Sequence, residues 1–236
     1  MVGSGLMDAG TANFFELLGA SAPAPVEPPS VAALYVEADG VYANLPGVEV
    51  YDRQRDARRY RGPHPVVAHP PCSRWGRYAE YHPMVGDIGV LGDDDGCFAH
   101  ALWAVRSFGG VLEHPKESQA WAWFGLMPPL TGGWQRADDF GGYTCCIEQC
   151  HYGHAARKPT WLYAAKVELP SLPWGRGKQR LHEGYLAKHG YEKARRAGIV
   201  AMAGGKDKVR IREATPEPLR DLLISIARTG AREEAA

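Results

Sequence analysis

A cysteine and a glutamate follow two predicted strands and have the chemistry of a catalytic pair. Cys72 closes the run His-Pro-Pro-Cys at residues 69–72, directly after the apolar residues 65–68, and Glu113 closes the apolar run 111–113. The two prolines fix φ and lower the entropy cost of presenting the thiol, which favours a nucleophilic role for Cys72. Ligands of open parallel sheets bind beyond the carboxyl ends of strands. We therefore predict that Cys72 and Glu113 act as nucleophile and acid in one cleft at that edge.

Polar residues around this pair are candidates for substrate binding. A cation near the thiol favours the thiolate, and the sequence offers Arg74 for this role. No Gly-rich phosphate loop of recognised spacing is present, so side-chain cations have to bind any phosphate, and Arg157, Lys158, Arg176 and Lys178 are predicted to border the cleft for that purpose. The residues assigned to substrate binding are His69, Pro71, Arg74, His114, Gln149, His154, Arg157 and Lys158.

Residues 145–154 contain a group of side chains that resembles a metal site. Its members are Cys145, Cys146, Cys150, His151 and His154. Zinc needs four ligands in a tetrahedron, usually as two separated pairs, whereas this group lacks a second, distant pair. Adjacent residues on a strand also point to opposite faces. The sequence therefore predicts that no metal is bound here.

The pattern of apolar residues indicates an α/β fold with a mostly parallel sheet and flanking helices. Phe98, Ala101, Leu102 and Val105 have helical spacing within residues 96–108, between two predicted strands, as in a βαβ unit. A last helix is expected over 215–229, beginning at a Thr-Pro pair. Strands are predicted at 31–36, 48–51, 65–68, 111–113, 141–149 and 160–165.

Composition restricts the protein's class and location. The chain of 236 residues fits one domain over 31–236, preceded by a flexible Pro/Ala-rich tail over 1–30 that should be dispensable for folding, with an irregular stretch at 170–213. A net charge of zero does not by itself indicate nucleic-acid binding. No apolar run is long enough to span a membrane, which predicts no membrane partner. An odd number of cysteines, five, argues against a disulfide framework and for the cytoplasm. The oligomeric state stays open.

Pro-Pro-Cys after one strand and a glutamate at the end of the next resemble two motifs of the cytosine-C5 DNA methyltransferase family. The resemblance implies that Cys72 attacks C6 of a flipped cytosine, that Glu113 binds N3, and that S-adenosylmethionine alkylates C5. It also implies a truncated Rossmann-like core of the methyltransferase type, with Asp39 and Asp52 beside the cofactor. Residues 149–158 are a loose analogue of the family's Gln-x-Arg-x-Arg motif. The run 66–163 also resembles phage and prophage proteins, which implies a phage-encoded protein in the host cytoplasm.

The sequence departs from the family pattern at two places. His-Pro stands at residues 114–115 where Asn-Val is usual, and residues 36–40 replace the cofactor motif Phe-x-Gly-x-Gly. The link over residues 38–47 is too short for a full crossover helix. Three functions therefore stay open. They are a pyrimidine-modifying enzyme acting on DNA or a nucleotide, a catalytically idle relative that binds DNA or protein, and a cysteine enzyme acting on free pyrimidine nucleotides. Pro-Pro-Cys also marks the thymidylate synthase nucleophile.

Overall fold

The computed structural model describes residues 30–76, 79–82, 86–87, 89–130, 132–178, 180–197 and 211–230. Within them lie nine strands, which are β1 Val31–Leu34, β2 Val48–Tyr51, β3 Val66–Ala68, β4 Tyr81–His82, β5 Gly86–Asp87, β6 Gly110–Pro115, β7 Gln135–Arg136, β8 Tyr143–Glu148 and β9 Pro159–Ala165. The α-helices in the same residues are α1 Cys97–Phe108, α2 Gln119–Trp123, α3 Glu183–Ala197 and α4 Glu217–Gly230. Two 3₁₀ turns occupy Ala57–Arg59 and Gln149–Tyr152.

Seven of these strands form one mixed sheet in the order β2-β1-β3-β6-β9-β8-β7, and β4 pairs with β5 separately. The first four strands are parallel to one another, whereas β9, β8 and β7 join by antiparallel pairing. The predicted α/β class with flanking helices is confirmed. The prediction of a mostly parallel sheet holds for its first four strands only. Strands β8 and β9 are joined by the short connection 149–158, which reverses the chain direction instead of crossing the sheet.

Two apolar cores cover the two faces of the sheet. Val31, Ala33, Val67 and Val111 lie in the core on the α4 side, while the intervening strand residues lie in the core on the α1 side. Both faces are buried, which explains why the parallel strands read as continuous apolar runs in the sequence. A residue's position along a strand therefore decides which core or rim its side chain reaches.

The pairing of β3 with β6 depends on Gly110. Its backbone has φ 124°, and a Cβ atom at this position would lie 1.9 Å from the Val66 carbonyl oxygen. Helix α1 precedes it and starts where the Asp94 carboxylate accepts hydrogen bonds from the Phe98 N–H and the Trp75 indole, each at 2.8 Å. The helix expected over 96–108 is thus confirmed, and glycine after it brings β6 close beside β3.

The C-terminal third differs from the sequence expectation. In place of irregular structure throughout 170–213, residues 183–197 form α3, which is kinked at Gly190. Of the α3 side chains, only Ala194 is buried, so the helix lacks the apolar stripe by which sequence patterns reveal helices. The last helix, expected over 215–229, is α4. The tail before residue 30 lies outside the described residues. None of the helices in the described part of the chain has the length and apolarity to cross a membrane.

Candidate active site

Strands β3 and β6 bring Cys72 and Glu113 to the same edge of the sheet. The strands are parallel with Ala68 opposite Leu112, so the residues that follow β3 run beside Glu113. Cys72 is exposed, and the Glu113 side chain retains 12% of its accessible surface. The two groups are near enough for the Glu113 charge to raise the pKa of the Cys72 thiol. This placement is the one that the strand-end pattern predicts.

A chain of hydrogen bonds holds the Glu113 carboxylate. His69 Nδ1 lies 3.0 Å from Oε2, and Gln149 Nε2 donates to Oε1 at 3.1 Å. On its far side, His69 Nε2 lies 2.8 Å from the Tyr42 hydroxyl, and Gln149 Nε2 also donates to Thr160 Oγ1 at 2.9 Å. A carboxylate only accepts, so His69 carries a hydrogen on Nδ1. The network fixes the orientation of Glu113 from both oxygens.

The charge state of Glu113 follows from these partners. Burial raises the pKa of its carboxyl, but the hydrogen bond and charge of His69, helped by Lys158, outweigh burial and lower the pKa to about 2. Glu113 is therefore ionised at neutral pH. In this state it accepts hydrogen bonds, and it holds no proton of its own to donate, in contrast to the simple acid role expected from the sequence.

The environment of Cys72 keeps its sulfur protonated at neutral pH. Although the residue as a whole is exposed, partial desolvation of its thiol raises the thiol pKa, and the Glu113 and Glu213 carboxylates raise it further, while Lys158 lowers it. The neighbouring cation that favours the thiolate is thus Lys158. The Arg74 guanidinium, to which we gave that role, lies instead against Gly89. A thiol in this environment reacts only after its proton has been removed.

Lys158 contacts the segment 211–214, which precedes α4. Its ammonium donates to the carbonyl oxygens of Ala214 at 3.1 Å and Glu213 at 3.4 Å. Burial lowers the Lys158 pKa, and the charges of Glu113 and Cys72 raise it in compensation. His154 Nε2 holds the same segment through the Ile211 carbonyl at 2.9 Å. The β8–β9 connection therefore supplies a cation to the site and anchors the segment 211–214.

His114 belongs to the opposite face of the sheet. It is 1% exposed, its ring is 5.2 Å from Phe98 and 6.2 Å from Trp121, and no hydrogen bond reaches either ring nitrogen within the described part of the chain. Burial lowers its pKa to about 4, so the ring is neutral at neutral pH. Strand alternation points the ring away from Glu113, while the Pro71 backbone, next to Cys72, is near enough to raise the pKa of the ring.

The remaining predicted binding residues lie in two places, one beside Cys72 and the other around Glu148. Pro71 is exposed beside Cys72, whereas Arg157 extends to Glu148 at 3.6 Å. Arg176 and Lys178 are exposed on a loop that is attached to Glu148 through the Gly177 N–H at 2.8 Å. The structure therefore places Lys158 within electrostatic reach of Cys72, and the other three cations around or beyond Glu148.

The two acids proposed for cofactor binding lie beyond β1 and β2. Asp39 is exposed, and Asp52 accepts a hydrogen bond from the Arg55 backbone N–H at 2.7 Å, which closes a turn. Among the residues that the structure describes, no helix lies between β1 and β2. This segment therefore offers no helix N-terminus to a phosphate or a nucleotide.

The cysteine-rich segment has its side chains on different faces. Cys145 is buried on the α4 side, and the next residue, Cys146, packs against the other core. No group of three or more metal-ligating side chains occurs within the described ranges. Alternation along β8 separates these thiols, as the sequence argument anticipated.

Tyr42 and Thr160 were missed by the sequence analysis. Tyr42 belongs to the link between β1 and β2, and β3 lies on the other side of β1, so the chain changes direction across the sheet between β1 and β3. Crevices at such switch points are the usual ligand sites of open α/β sheets. The hydroxyl of Tyr42 reaches His69 at this crevice. The sequence shows only a tyrosine in a short link between two strands. It gives no sign of the contact with His69, because that contact depends on the order of the strands in the sheet.

No protein family model, curated protein or solved structure matches this chain.

Proposed function

We propose that this protein is a pyrimidine-modifying enzyme that resembles DNA cytosine-C5 methyltransferases, with Cys72 adding to C6 of the base and Glu113 binding at N3. One observation carries the proposal. An accessible thiol shares the carboxyl edge of β3 and β6 with an ionised carboxylate that, among the described residues, accepts hydrogen bonds from two donors, His69 and Gln149. The adjacent parallel strands β1, β3 and β6 are also what a Rossmann-like core would require.

The proposed addition balances without a further reactant. The Cys72 sulfur forms a bond to C6, and the π pair of the C5–C6 double bond moves toward C5 and the conjugated acceptor, which is N3 in cytosine and O4 in uracil. The proton lost by the thiol is matched by a proton gained at C5, and both exchange with water. Reversal removes a proton from C5 and restores the base. Each addition and elimination therefore exchanges the C5 hydrogen of the pyrimidine with solvent.

Glu113 would stabilise this addition as an acceptor. With two lone pairs on each oxygen and one donor on each, the carboxylate retains room for an N–H of the base. Negative charge fixed at N3 favours a proton on that nitrogen, and a protonated ring accepts the electron pair from sulfur more readily. Lys158 favours the attacking thiolate.

S-adenosylmethionine, the cofactor that the family resemblance implies, fits the described residues poorly. No helix lies between β1 and β2 in the described residues, residues 36–40 lack the glycine motif, and the Asp52 carboxylate accepts a hydrogen bond from a backbone N–H of its own turn. We therefore include no methyl-transfer step. The proposal ends at activation of C5 toward an electrophile. It places the protein in a reducing cytoplasm, in keeping with five free cysteines.

A second candidate is a catalytically idle relative that binds DNA or protein through the same cleft. The raised pKa of Cys72 favours it, because a thiol that stays protonated is a weak nucleophile. A cysteine enzyme acting on free pyrimidine nucleotides uses the same addition step, so it differs from the main proposal in substrate only.

The test measures release of tritium from C5 of the pyrimidine into water. Tritiated deoxycytidine in DNA, dCMP and dUMP are the substrates, and intact-mass analysis with the 5-fluoro analogues looks for an adduct. We expect release by the wild type, faster as the pH rises from 7 to 9 because the thiol pKa is raised. Cys72→Ser should abolish it, and Cys97→Ser serves as the matched control. No release from any substrate would contradict the proposed enzyme and favour the idle relative.

A further inference from the structure

Positive charge is concentrated in one stretch of an otherwise neutral chain. Residues 171–213 contain 11 Lys and Arg against four Asp and Glu, a net charge of +7. The rest of the chain has 16 basic and 23 acidic residues, a net charge of −7. A polyanion that approaches the protein is attracted to this basic segment and repelled elsewhere.

The described part of the basic segment presents its cations to solvent. Lys188, Lys193 and Arg196 are exposed on α3, and none of them forms an ion pair with another described residue. Tyr191 lies between them on the helix and is 59% exposed. An exposed aromatic ring among unpaired cations is the composition of surfaces that stack bases while neutralising phosphates.

Both ends of the basic segment are attached to the rim of the candidate active site. On the entry side, the Gly175 carbonyl meets His151 Nε2 at 3.2 Å, and the Arg180 N–H donates to the Ala155 carbonyl at 2.8 Å. On the return side, Lys158 and His154 hold the carbonyl oxygens of residues 211–214. All of these anchors belong to residues 149–158, which also provide Gln149 to Glu113.

We infer that the described part of the basic segment, residues 171–178, 180–197 and 211–213, binds a single-stranded nucleic acid and delivers an unpaired pyrimidine of that strand to the Cys72 edge. The inference rests on the proposed function and narrows its substrate to a polynucleotide. A free nucleotide is too small to contact a row of unpaired cations that lies beyond the rim of the candidate active site. A nucleic-acid strand that crosses α3 does need such a row of cations, because each bound phosphate requires a counter-charge.

The shape of α3 favours a single strand over a duplex. The kink at Gly190, with φ 75° and ψ 166°, divides the helix into the two short halves 183–189 and 191–197. Helix α3 is therefore not the straight recognition helix that fills the major groove of a duplex. Stacking on Tyr191 also requires a base that is not already stacked in a duplex. An unpaired base reaches the thiol without the cost of extrusion.

The test is fluorescence anisotropy with a labelled 20-nucleotide pyrimidine-rich DNA strand, its RNA equivalent, the DNA duplex and dCMP as competitor. The Cys72→Ser protein is used, so that binding is separated from chemistry. We expect the single strands to bind more tightly than the duplex, with dCMP a poor competitor. Lys193→Glu with Arg196→Glu should flatten the dependence of log affinity on log salt by about 1.4, the value for two phosphates on a single strand. Tyr191→Ala should weaken binding about tenfold.

Matched controls separate the surface from net charge and from aromatic exposure. Arg53→Glu with Arg59→Glu makes the same charge change after β2, at the far edge of the sheet, and should preserve the salt slope, while Phe140→Ala should preserve affinity. Duplex binding as tight as single-strand binding, or equal slopes in the two double variants, would overturn the inference. If the protein binds the single-stranded nucleic acid but the wild type releases no tritium, the proposed enzyme is refuted and the inferred binding surface is not. Release from dCMP without strand binding refutes only this surface.

Discussion

Two mostly buried carboxylates in this protein differ in how many hydrogen bonds they accept from the protein. Asp138 accepts four hydrogen bonds, from Arg106 and the Tyr163 hydroxyl on Oδ2 and from the backbone N–H groups of Phe140 and Gly142 on Oδ1. Glu113 accepts two side-chain donors, one on each oxygen. Both have a lowered pKa despite burial, so both are ionised. The protein therefore stabilises both charges, yet only one carboxylate has its acceptor capacity filled by the protein.

The difference separates a structural carboxylate from a candidate functional one. A buried acceptor that is fully satisfied joins the elements around it and has nothing left for a ligand. Asp138 joins α1, β9 and the turn before β8 in this way. Glu113 is oriented by the protein but keeps free lone pairs beside Cys72. Spare acceptor capacity in a fixed position is the pre-organisation that binding sites require.

The largest expected effect is on chemistry at Glu113. Glu113→Gln removes the charge that favours a proton at N3, so release of the C5 hydrogen should fall by roughly 100-fold or more. The measurement is the initial rate of tritium release at saturating substrate. Asp138→Asn is the matched isosteric control and should keep the wild-type rate. Equal losses of rate in the two variants would remove the distinction between the carboxylates.

The next effect is on stability at Asp138. Asp138→Asn leaves the Arg106 guanidinium without its charged partner and one or two donors unsatisfied, so the free energy of unfolding should fall by about 3 kcal/mol. Urea unfolding at pH 7, followed by circular dichroism, measures it. A change below about 1 kcal/mol would mean that Asp138 does not join the elements around it as the geometry indicates.

Acid should reveal the stabilising part of the Glu113 network. The pKa of Glu113 is lowered from 4.5 to about 2, so the unfolded chain binds the extra proton first as the pH falls. The stabilisation is complete above pH 4.5 and is lost toward pH 2, with about 2 kcal/mol lost between pH 7 and pH 3. Urea unfolding at both pH values should show this loss in the wild type and a correspondingly smaller one in Glu113→Gln. Parallel stability profiles would show that His69 does not stabilise the charge.

The smallest effect is expected at Lys158, where the charge acts on Cys72 from a distance. Lys158→Met keeps the length of the side chain and removes the cation that lowers the thiol pKa. Tritium release at pH 7 should slow by a few-fold, because loss of the cation raises the thiol pKa further and leaves less thiolate. Lys116→Met, on the other face of the sheet, is the control. The pH at which release reaches half its maximal rate should rise in Lys158→Met, and an unchanged midpoint would point to a different role for Lys158.

Much of the fold and the central pair were predictable from local patterns. Continuous apolar runs identify β1, β3 and β6 because both faces of those strands are buried, and the helical spacing at residues 98–105 identifies α1. A Pro-Pro-Cys turn after one strand and a glutamate in the next place Cys72 and Glu113 at one edge, since parallel neighbours end together. Helix α3 was not predictable, because a helix exposed on nearly all sides has no apolar periodicity.

What only the tertiary structure decided is the state of those residues. Alternation along β6 puts Glu113 beside His69 and sends His114 into the opposite core. The switch of chain direction between β1 and β3 brings Tyr42 to His69, and the β8–β9 connection brings Gln149 and Lys158 to the site. Sequence determines which side chains stand at the ends of strands, because strand periodicity is local. Their protonation and partners depend on groups at least 27 residues away along the chain, whose approach is fixed only when the sheet is assembled.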